Sequence, residues 1–308
     1  MLRRFLSITK VRIGLAIFVL MFAVGFGGPW LMMDVLGMDP LIVDTNRLAA
    51  PPSPEHWLGT TASGQDVLLR IVLGTRGSLL VGLTSALIAT GIALIVGITA
   101  GYLGGVVDGV INAVINIFLT MPSFVVLLMI AAAFRDINWF MVSVIIGVFE
   151  WPGTARSIRA QAMSLRGRDF TAALRTIGEK PWRIVLVEIA PHLNGLASSL
   201  FLSAFVAGIF AQSGMAFLGI GNASEYSWGT EINLASGQNA LFRGLWWWFG
   251  PPGLAIALLG FATALINFGL DEVTNPALSS KRSAIVRRFL AERRRRRLAR
   301  PTTTEVLG

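Results

Sequence analysis

The sequence has little of the chemistry on which most enzymes and metalloproteins depend. It contains no cysteine and only two histidines among its 308 residues. The absence of cysteine excludes a disulfide scaffold, thiol catalysis and cysteine-bound metal centres. His56 and His192 lie far apart and have no partner at helical spacing, so we predict no metal site. No G-x-x-x-x-G-K-[ST] loop and no readable nucleophile–base pair occur, so we expect no catalysis from this chain alone.

Charge is scarce as well. Only 14% of the residues are charged, 54% are hydrophobic and the mean hydropathy is +0.67. A soluble protein carries about 25% charged residues, and a soluble domain of this length needs more polar surface than this chain supplies. The composition therefore predicts an integral membrane protein.

Six apolar runs are candidates for membrane-spanning helices, which need about 20 residues each. They cover residues 13–33, 79–101, 107–134, 137–151, 193–220 and 252–270. The third run is broken near Met121 and Pro122. No stretch alternates polar and apolar residues over the length of a barrel strand. We therefore predict an all-α polytopic membrane protein with six transmembrane helices, the first being an uncleaved anchor and not a secretory signal.

The basic residues are distributed unevenly over the two predicted faces. Lys and Arg outnumber Asp and Glu by 26 to 17, which gives a formal net charge of +9. Four of them lie in the N-terminal segment, seven in the loop between the fourth and fifth runs, and ten after residue 270. Because basic residues favour the cytoplasmic side, we predict that this loop and both termini are cytoplasmic. The basic tail, residues 279–308, is expected to be solvated or to contact anionic lipids, and not to bind nucleic acid.

The predicted cytoplasmic loop contains a short helix. Asp169 is expected to cap it and Gly178 to end it in the left-handed conformation. Ala172 and Ala173 are small enough for another protein to approach closely. Further apolar side chains exceed what a solvated loop needs: Phe170, Leu174 and Ile177. A docking helix for a cytoplasmic partner and an ordinary basic loop are the two interpretations.

Three polar residues within the predicted spans are candidates for a solute pathway or cavity: Glu150, Gln212 and Asn267. An acidic residue at a span end can line a pathway, although for Glu150 we favour an ion pair with Arg156 or Arg159. For the other two we favour interhelical hydrogen bonds over cavity lining.

Two long segments are predicted on the outer face, residues 34–78 and 222–251. The second ends in three tryptophans, Trp246 to Trp248. We interpret them as an interfacial aromatic anchor, with ligand stacking as the alternative. The glycines within the spans are expected to allow close helix packing, and they include Gly82, Gly91, Gly97 and Gly208.

The short helix resembles the coupling helix in the EAA loop of ABC-importer permeases. Gly178 and Pro191 match the motif's glycine and final proline, whereas Ala172, Ala173 and Leu174 occupy its Glu-Ala-Ala positions. Other segments resemble, in the same order, the C-type permease subunit of the dipeptide/oligopeptide (and nickel) ABC importers. They are residues 51–60, 64–70, 101–105, 151–156, 217–221 and 227–229, followed by Asn275 and Pro276. The family's usual charged residues are replaced at Thr61, Gln65 and Gln212, which indicates a divergent branch.

The resemblance implies the type I permease fold of ABC importers, with a coupling helix between helices 4 and 5. It implies a non-catalytic subunit that translocates di- and oligopeptides by alternating access across the cytoplasmic membrane of a prokaryote. The partners would be a second homologous permease subunit, two ATP-binding subunits or a fused pair of them, and an extracytoplasmic substrate-binding protein. The chain itself would bind no cofactor, because ATP and Mg would be held by the partner subunits.

The resemblance also assigns residues and segments. The coupling helix would comprise Asp169, Phe170, Ala172, Ala173, Leu174, Arg175 and Gly178, with Pro191 ending the motif. We divide the chain into an N-terminal segment, residues 1–78, a permease domain, residues 79–278, and the basic tail. Import of nickel chelates or another small solute by the same fold, and a non-ABC channel or scaffold, are the alternatives.

Overall fold

The computed structural model describes residues 2–134, 137–222 and 225–274, and most of these residues are helical. The predicted tail and the motif residues Asn275 and Pro276 lie outside the described residues. Within these described ranges there is one isolated antiparallel bridge, Thr60 to Asp66, and no extended strand. The prediction of an all-α chain is therefore confirmed for this part of the protein.

The helices are numbered in chain order. They are α1 (Leu2–Ser7), α2 (Thr9–Phe22), α3 (Val67–Leu103), α4 (Gly105–Thr120), α5 (Ser123–Ala132), α6 (Trp139–Arg166), α7 (Asp169–Thr176), α8 (Pro181–Arg183), α9 (Ala190–Phe217), α10 (Trp228–Gly237) and α11 (Trp246–Thr274). Helix α2 continues through π-helical turns at Ala23–Gly27 and Trp30–Val35, and a π-helical turn at Ile184–Ile189 joins α8 to α9.

Four stretches of the described chain are long and apolar enough to cross a membrane: Thr9–Gly27, Val67–Leu103, Pro181–Phe217 and Trp246–Leu270. Helices α4 and α5 meet the same criterion together, with a bend of 79° at the predicted break. Helix α6, which contains most of the predicted fourth span, does not meet this criterion. Glu150, Pro152 and the arginines that follow reduce its mean hydropathy. The chain is thus a multi-pass membrane protein, and the count of six spans stays a prediction.

Helix α3 begins twelve residues before the predicted second span. The Asp66 carboxylate accepts a hydrogen bond from the backbone N–H of Leu69 at 2.9 Å and so caps the helix at Val67. With 37 residues, α3 is about 55 Å long, much more than the ~30 Å that a span requires. The predicted boundary between residues 78 and 79 falls inside this helix.

Close approach of helices organises the core around α3. A side chain added at Gly82 would meet Ile209 at 2.5 Å, and one added at Gly208 would meet Ser85, so α3 and α9 cross here nearly backbone to backbone. A side chain added at Gly97 would likewise meet the carbonyl of Ala155, in α6, at 2.8 Å. The predicted packing role therefore holds for these three glycines. It is wrong for Gly91, which has open space around it.

A small lobe lies at the N-terminal end of α3, opposite α7. It consists of the loop 37–66, α10, the connection 238–245 and the first turn of α11. Its core contains Trp247 and Trp248, whereas the first of the three consecutive tryptophans, Trp246, is exposed. The Nε1 of Trp247 donates to the carbonyl of Thr60, and that of Trp248 to the Glu231 carboxylate. The interfacial-anchor interpretation is therefore wrong for Trp247 and Trp248, which hold the lobe to α11.

Candidate functional site

Helix α7 begins one residue earlier than a cap at Asp169 implies. Arg168 has the extended backbone of an N-cap residue, and Asp169 is the first residue inside the helix. Asp169 therefore does not cap α7, although a carboxylate in the first turn interacts favourably with the helix dipole. The Thr171 hydroxyl fixes the turn instead, since it donates to the carbonyl of Leu165 at 2.9 Å.

The end of α7 is as the sequence predicted. Gly178 has a φ of +79°, which a residue with a Cβ adopts at a cost. The N–H of Glu179 donates to the carbonyl of Leu174 at 3.0 Å, and the N–H of Gly178 to that of Arg175 at 3.0 Å. These two bonds form a Schellman motif. The glycine therefore ends the helix and directs the chain toward α8.

One side of α7 is attached to three long helices. Thr171 is fully buried against α6, and Leu174 packs against the core cluster there. The guanidinium of Arg175 lies 4.9 Å from the centre of the Tyr102 ring at the end of α3. The ring of Phe170 stacks on His192 in α9 at 5.7 Å. Phe170 and Leu174 thus contact the chain itself, so these two apolar side chains anchor α7.

The opposite side of α7 is exposed and consists of small and apolar side chains. We call it the coupling surface: Ala172, Ala173, Thr176 and Ile177, with Trp182 from α8. Ile177 is 75% exposed and Trp182 60%. Exposed apolar surface of this kind is typical of a site for another protein.

Pro191 lies at the start of α9 and is exposed. Proline lacks a backbone N–H and clashes with the carbonyl four residues earlier. The π-helical turn Ile184–Ile189 immediately before it accommodates this break, so the helix continues from α8 into the predicted fifth span.

Glu150 is half-buried on α6 and does not form the ion pair that we favoured. The Arg159 guanidinium instead binds the Asp108 carboxylate in α4 at 2.5 and 2.7 Å, and Arg156 donates to Asn116 at 2.6 Å. These bonds fasten α4 to the end of α6 that leads into α7.

Asn267 forms the interhelical contacts that we favoured. Its amide oxygen accepts a hydrogen bond from Ser199, and its amide nitrogen donates to Ser203, each at 3.2 Å. Asn267 therefore ties α11 to α9 by side-chain hydrogen bonds.

Gln212 both forms a hydrogen bond and lines a cavity. Its Nε2 donates to the Ser227 hydroxyl at 2.8 Å, whereas its Oε1 is buried without a partner in the described part of the chain. The cavity has a volume of about 420 Å³ and lies between the lobe and the adjacent ends of α3, α6 and α9. Glu225 also lines it, and burial raises the pKa of this carboxylate, opposed in part by a hydrogen bond from the Trp139 backbone.

A buried ion pair that the sequence did not indicate joins the lobe to α3. The guanidinium of Arg70 donates to both carboxylate oxygens of Glu231 in α10, at 2.9 and 2.7 Å. A third bond runs from Arg70 to Gln65 at 2.7 Å. The two charged residues are 161 positions apart in the sequence, so neither pattern nor spacing indicated their pairing.

Residues 93–279 match the family described as "Binding-protein-dependent transport system inner membrane component". The "Oligopeptide transport system permease protein OppC" of Mycobacterium tuberculosis is 33% identical over 288 residues, which are 92% of this chain and 96% of that protein. The "Dipeptide transport system permease protein DppC" of Bacillus subtilis is 30% identical over 86% of this chain and 81% of that protein.

Proposed function

Because the chain belongs to the family of binding-protein-dependent transport system inner membrane components, we propose that it is the permease subunit through which an ATP-driven importer moves di- and oligopeptides. The similarity to the named oligopeptide and dipeptide permeases, which extends over nearly the whole chain, supports a peptide as the solute. The partners are a second homologous permease subunit, two ATP-binding subunits that hold ATP and Mg, and an extracytoplasmic substrate-binding protein.

The observation that carries this proposal is the two-sided construction of α7. Its exposed side, the coupling surface, is small and apolar and suits a groove on an ATP-binding subunit. Its other side contacts α3 through Tyr102, α6 through Leu165 and α9 through His192. A displacement of α7 is therefore passed to three membrane-spanning helices at once, because packed helices transmit movement as rigid bodies.

The mechanism is alternating access. Closure of the ATP-binding subunits on ATP moves α7 and tilts the helices attached to it, which changes the side of the membrane to which the solute pathway opens. In this proposal the α4–α5 pair and α6 also cross the membrane, which makes six spans. The distribution of basic residues supports cytoplasmic termini and a cytoplasmic α7. The lobe then faces outward, where the substrate-binding protein delivers the peptide.

The substitution Ala173→Asp tests this function. Ala173 is exposed in the isolated chain, so an aspartate there should leave folding and membrane insertion unchanged. Within an apolar groove the same carboxylate would be buried without a partner, at a cost of several kcal/mol. Since 1.4 kcal/mol corresponds to a tenfold change in affinity, co-purification of the ATP-binding subunits should fall by tenfold or more.

Ala173→Ser is the matched control, because it keeps the side chain small and uncharged and should leave assembly near wild type. The amount of each variant in the membrane fraction checks insertion. Normal co-purification and peptide uptake by the Ala173→Asp complex would refute the coupling role of α7.

A further inference from the structure

The cavity beside Gln212 carries two side chains of opposite charge that do not neutralise each other. Arg76 of α3 and Glu225 of the α9–α10 connection both line it. Within the described ranges no ion pair joins them, and the Arg76 guanidinium forms neither a hydrogen bond nor an ion pair there. Arg76 is exposed and Glu225 is half-buried, so both remain able to bind groups of a ligand that enters the cavity.

One buried polar atom beside these charges, the amide oxygen of Gln212, has no hydrogen-bond donor among the described residues. Gln212 is only 7% exposed, and its Nε2 is held by the Ser227 hydroxyl, which in turn accepts from the N–H of Thr230 at 3.1 Å. The amide oxygen of Gln212 is an exception, since nearly all buried acceptors have a donor. Gln212 lines the cavity, so a rotation of its amide would let this oxygen accept from a ligand N–H group.

Glu225 likewise has capacity for a donor. A carboxylate can accept about four hydrogen bonds, and among the described residues only the Trp139 backbone acts to lower the pKa of Glu225. Burial raises the pKa of Glu225 because no cation compensates its charge. An ammonium group at this position would supply that compensation.

We propose that this cavity binds a zwitterionic solute, with Glu225 holding its ammonium group, Arg76 its carboxylate and Gln212 an N–H group between them. The proposal rests on the proposed function to the extent that it identifies this solute with the transported peptide. The volume of about 420 Å³ lies within the range of about 300–1,000 Å³ that ligand sites occupy. Apolar lining from Leu80 and Val142 provides contacts for peptide side chains.

The absence of cysteine allows one introduced thiol to report on occupancy. Leu80→Cys places it in the cavity wall, and Leu241→Cys places a control on the exposed surface of the lobe, where the native side chain is 66% exposed. Both variants are assembled with their partner subunits in phosphatidylcholine nanodiscs. The rate of alkylation by N-ethylmaleimide is read from the mass of this chain, with trialanine or its doubly blocked form, N-acetyl-trialanine amide, as the probe.

We expect trialanine to slow alkylation of Leu80→Cys at least fivefold and to leave the rate for Leu241→Cys unchanged. The blocked peptide should slow the alkylation of neither variant. Adding Arg76→Gln or Glu225→Gln should abolish the protection, and Arg76→Lys should retain it. Equal protection by both peptides, protection that survives both neutral substitutions, or no protection would overturn the proposal. So would a thiol that is unreactive without peptide, since lipid or a partner subunit would then fill the cavity.

Uptake of trialanine by the same complexes in proteoliposomes separates this site from the proposed function. Wild-type uptake with an unchanged KM in Arg76→Gln and Glu225→Gln would refute the site and leave the permease function standing. Charge-dependent protection without any uptake would refute peptide import and leave the site standing.

Discussion

Replacing Glu231 by glutamine should be among the most destabilising single substitutions in the lobe. The side chains of Arg70 and Glu231 are 9% and 1% exposed, so the pair is shielded from water. Glutamine keeps the shape of the side chain and one accepting oxygen, but it removes the charge and turns an amide NH2 group toward an N–H group of Arg70. The other contacts of the guanidinium, Gln65 and the ring of Tyr226 at 5.1 Å, carry no charge. An uncompensated charge remains in an environment of low polarity.

Removing one partner of a buried ion pair costs about 3–5 kcal/mol. At roughly 2–4 °C per kcal/mol for a chain of this size class, the unfolding midpoint should fall by about 6–20 °C. Trp248 donates to the same carboxylate at 3.4 Å, so the change should also alter tryptophan fluorescence. Thermal unfolding of the detergent-purified chain, followed by fluorescence and circular dichroism, measures both effects.

Two further variants isolate the ion pair as the cause. The double variant Arg70→Met/Glu231→Leu removes both charges and should recover much of the lost stability, because two apolar side chains replace the buried pair without leaving a charge behind. Glu55→Gln breaks the exposed contact with Arg47 and should scarcely move the midpoint. A Glu231→Gln midpoint within about 2 °C of wild type, which is roughly 1 kcal/mol or less, would refute the reasoning.

The remaining predictions concern helix packing and orientation. Gly208→Leu should lower the unfolding midpoint by an amount equivalent to about 1–3 kcal/mol, because its side chain would collide with Ser85 where α9 crosses α3. Gly91→Leu is the matched control, since nothing lies within 4 Å of an added Cβ there, and equal midpoints for the two variants would contradict the close crossing. A reporter enzyme fused after Gly308 should be active only in the cytoplasm, and cleavage of it by a protease added outside intact cells would reverse the proposed orientation.

Features that depend on neighbours in the sequence were predictable. The apolar runs identified a membrane protein, and the break at Met121 and Pro122 coincides with the 79° bend between α4 and α5. Gly178 ends α7 as expected, because a Schellman motif depends on the residues of a single turn. The short helix was likewise recognised from its own residues, although its first residue was misassigned as the cap.

Features that depend on distant residues were not predictable in the same way. The start of α3 is a local exception: the predicted span began at residue 79 because the preceding residues are less apolar, whereas the Asp66 cap begins the helix at Val67. Which side of α7 faces outward followed from Tyr102 and His192, which belong to other helices. Phe170 and Leu174 therefore anchor the helix, although their apolar character alone suggested contact with a partner.

The sequence by itself determined the class of protein, the all-helical character and the position of α7, since composition, hydrophobic run length and turn chemistry are local properties. Only the tertiary structure decided which buried polar groups meet. It joined Arg70 to Glu231 across 161 positions, turned Trp247 and Trp248 into the lobe and brought Arg76, Gln212 and Glu225 to one cavity. The physical reason is that a charged or polar side chain must find its partner in space once water is excluded, and the sequence gives no measure of that distance.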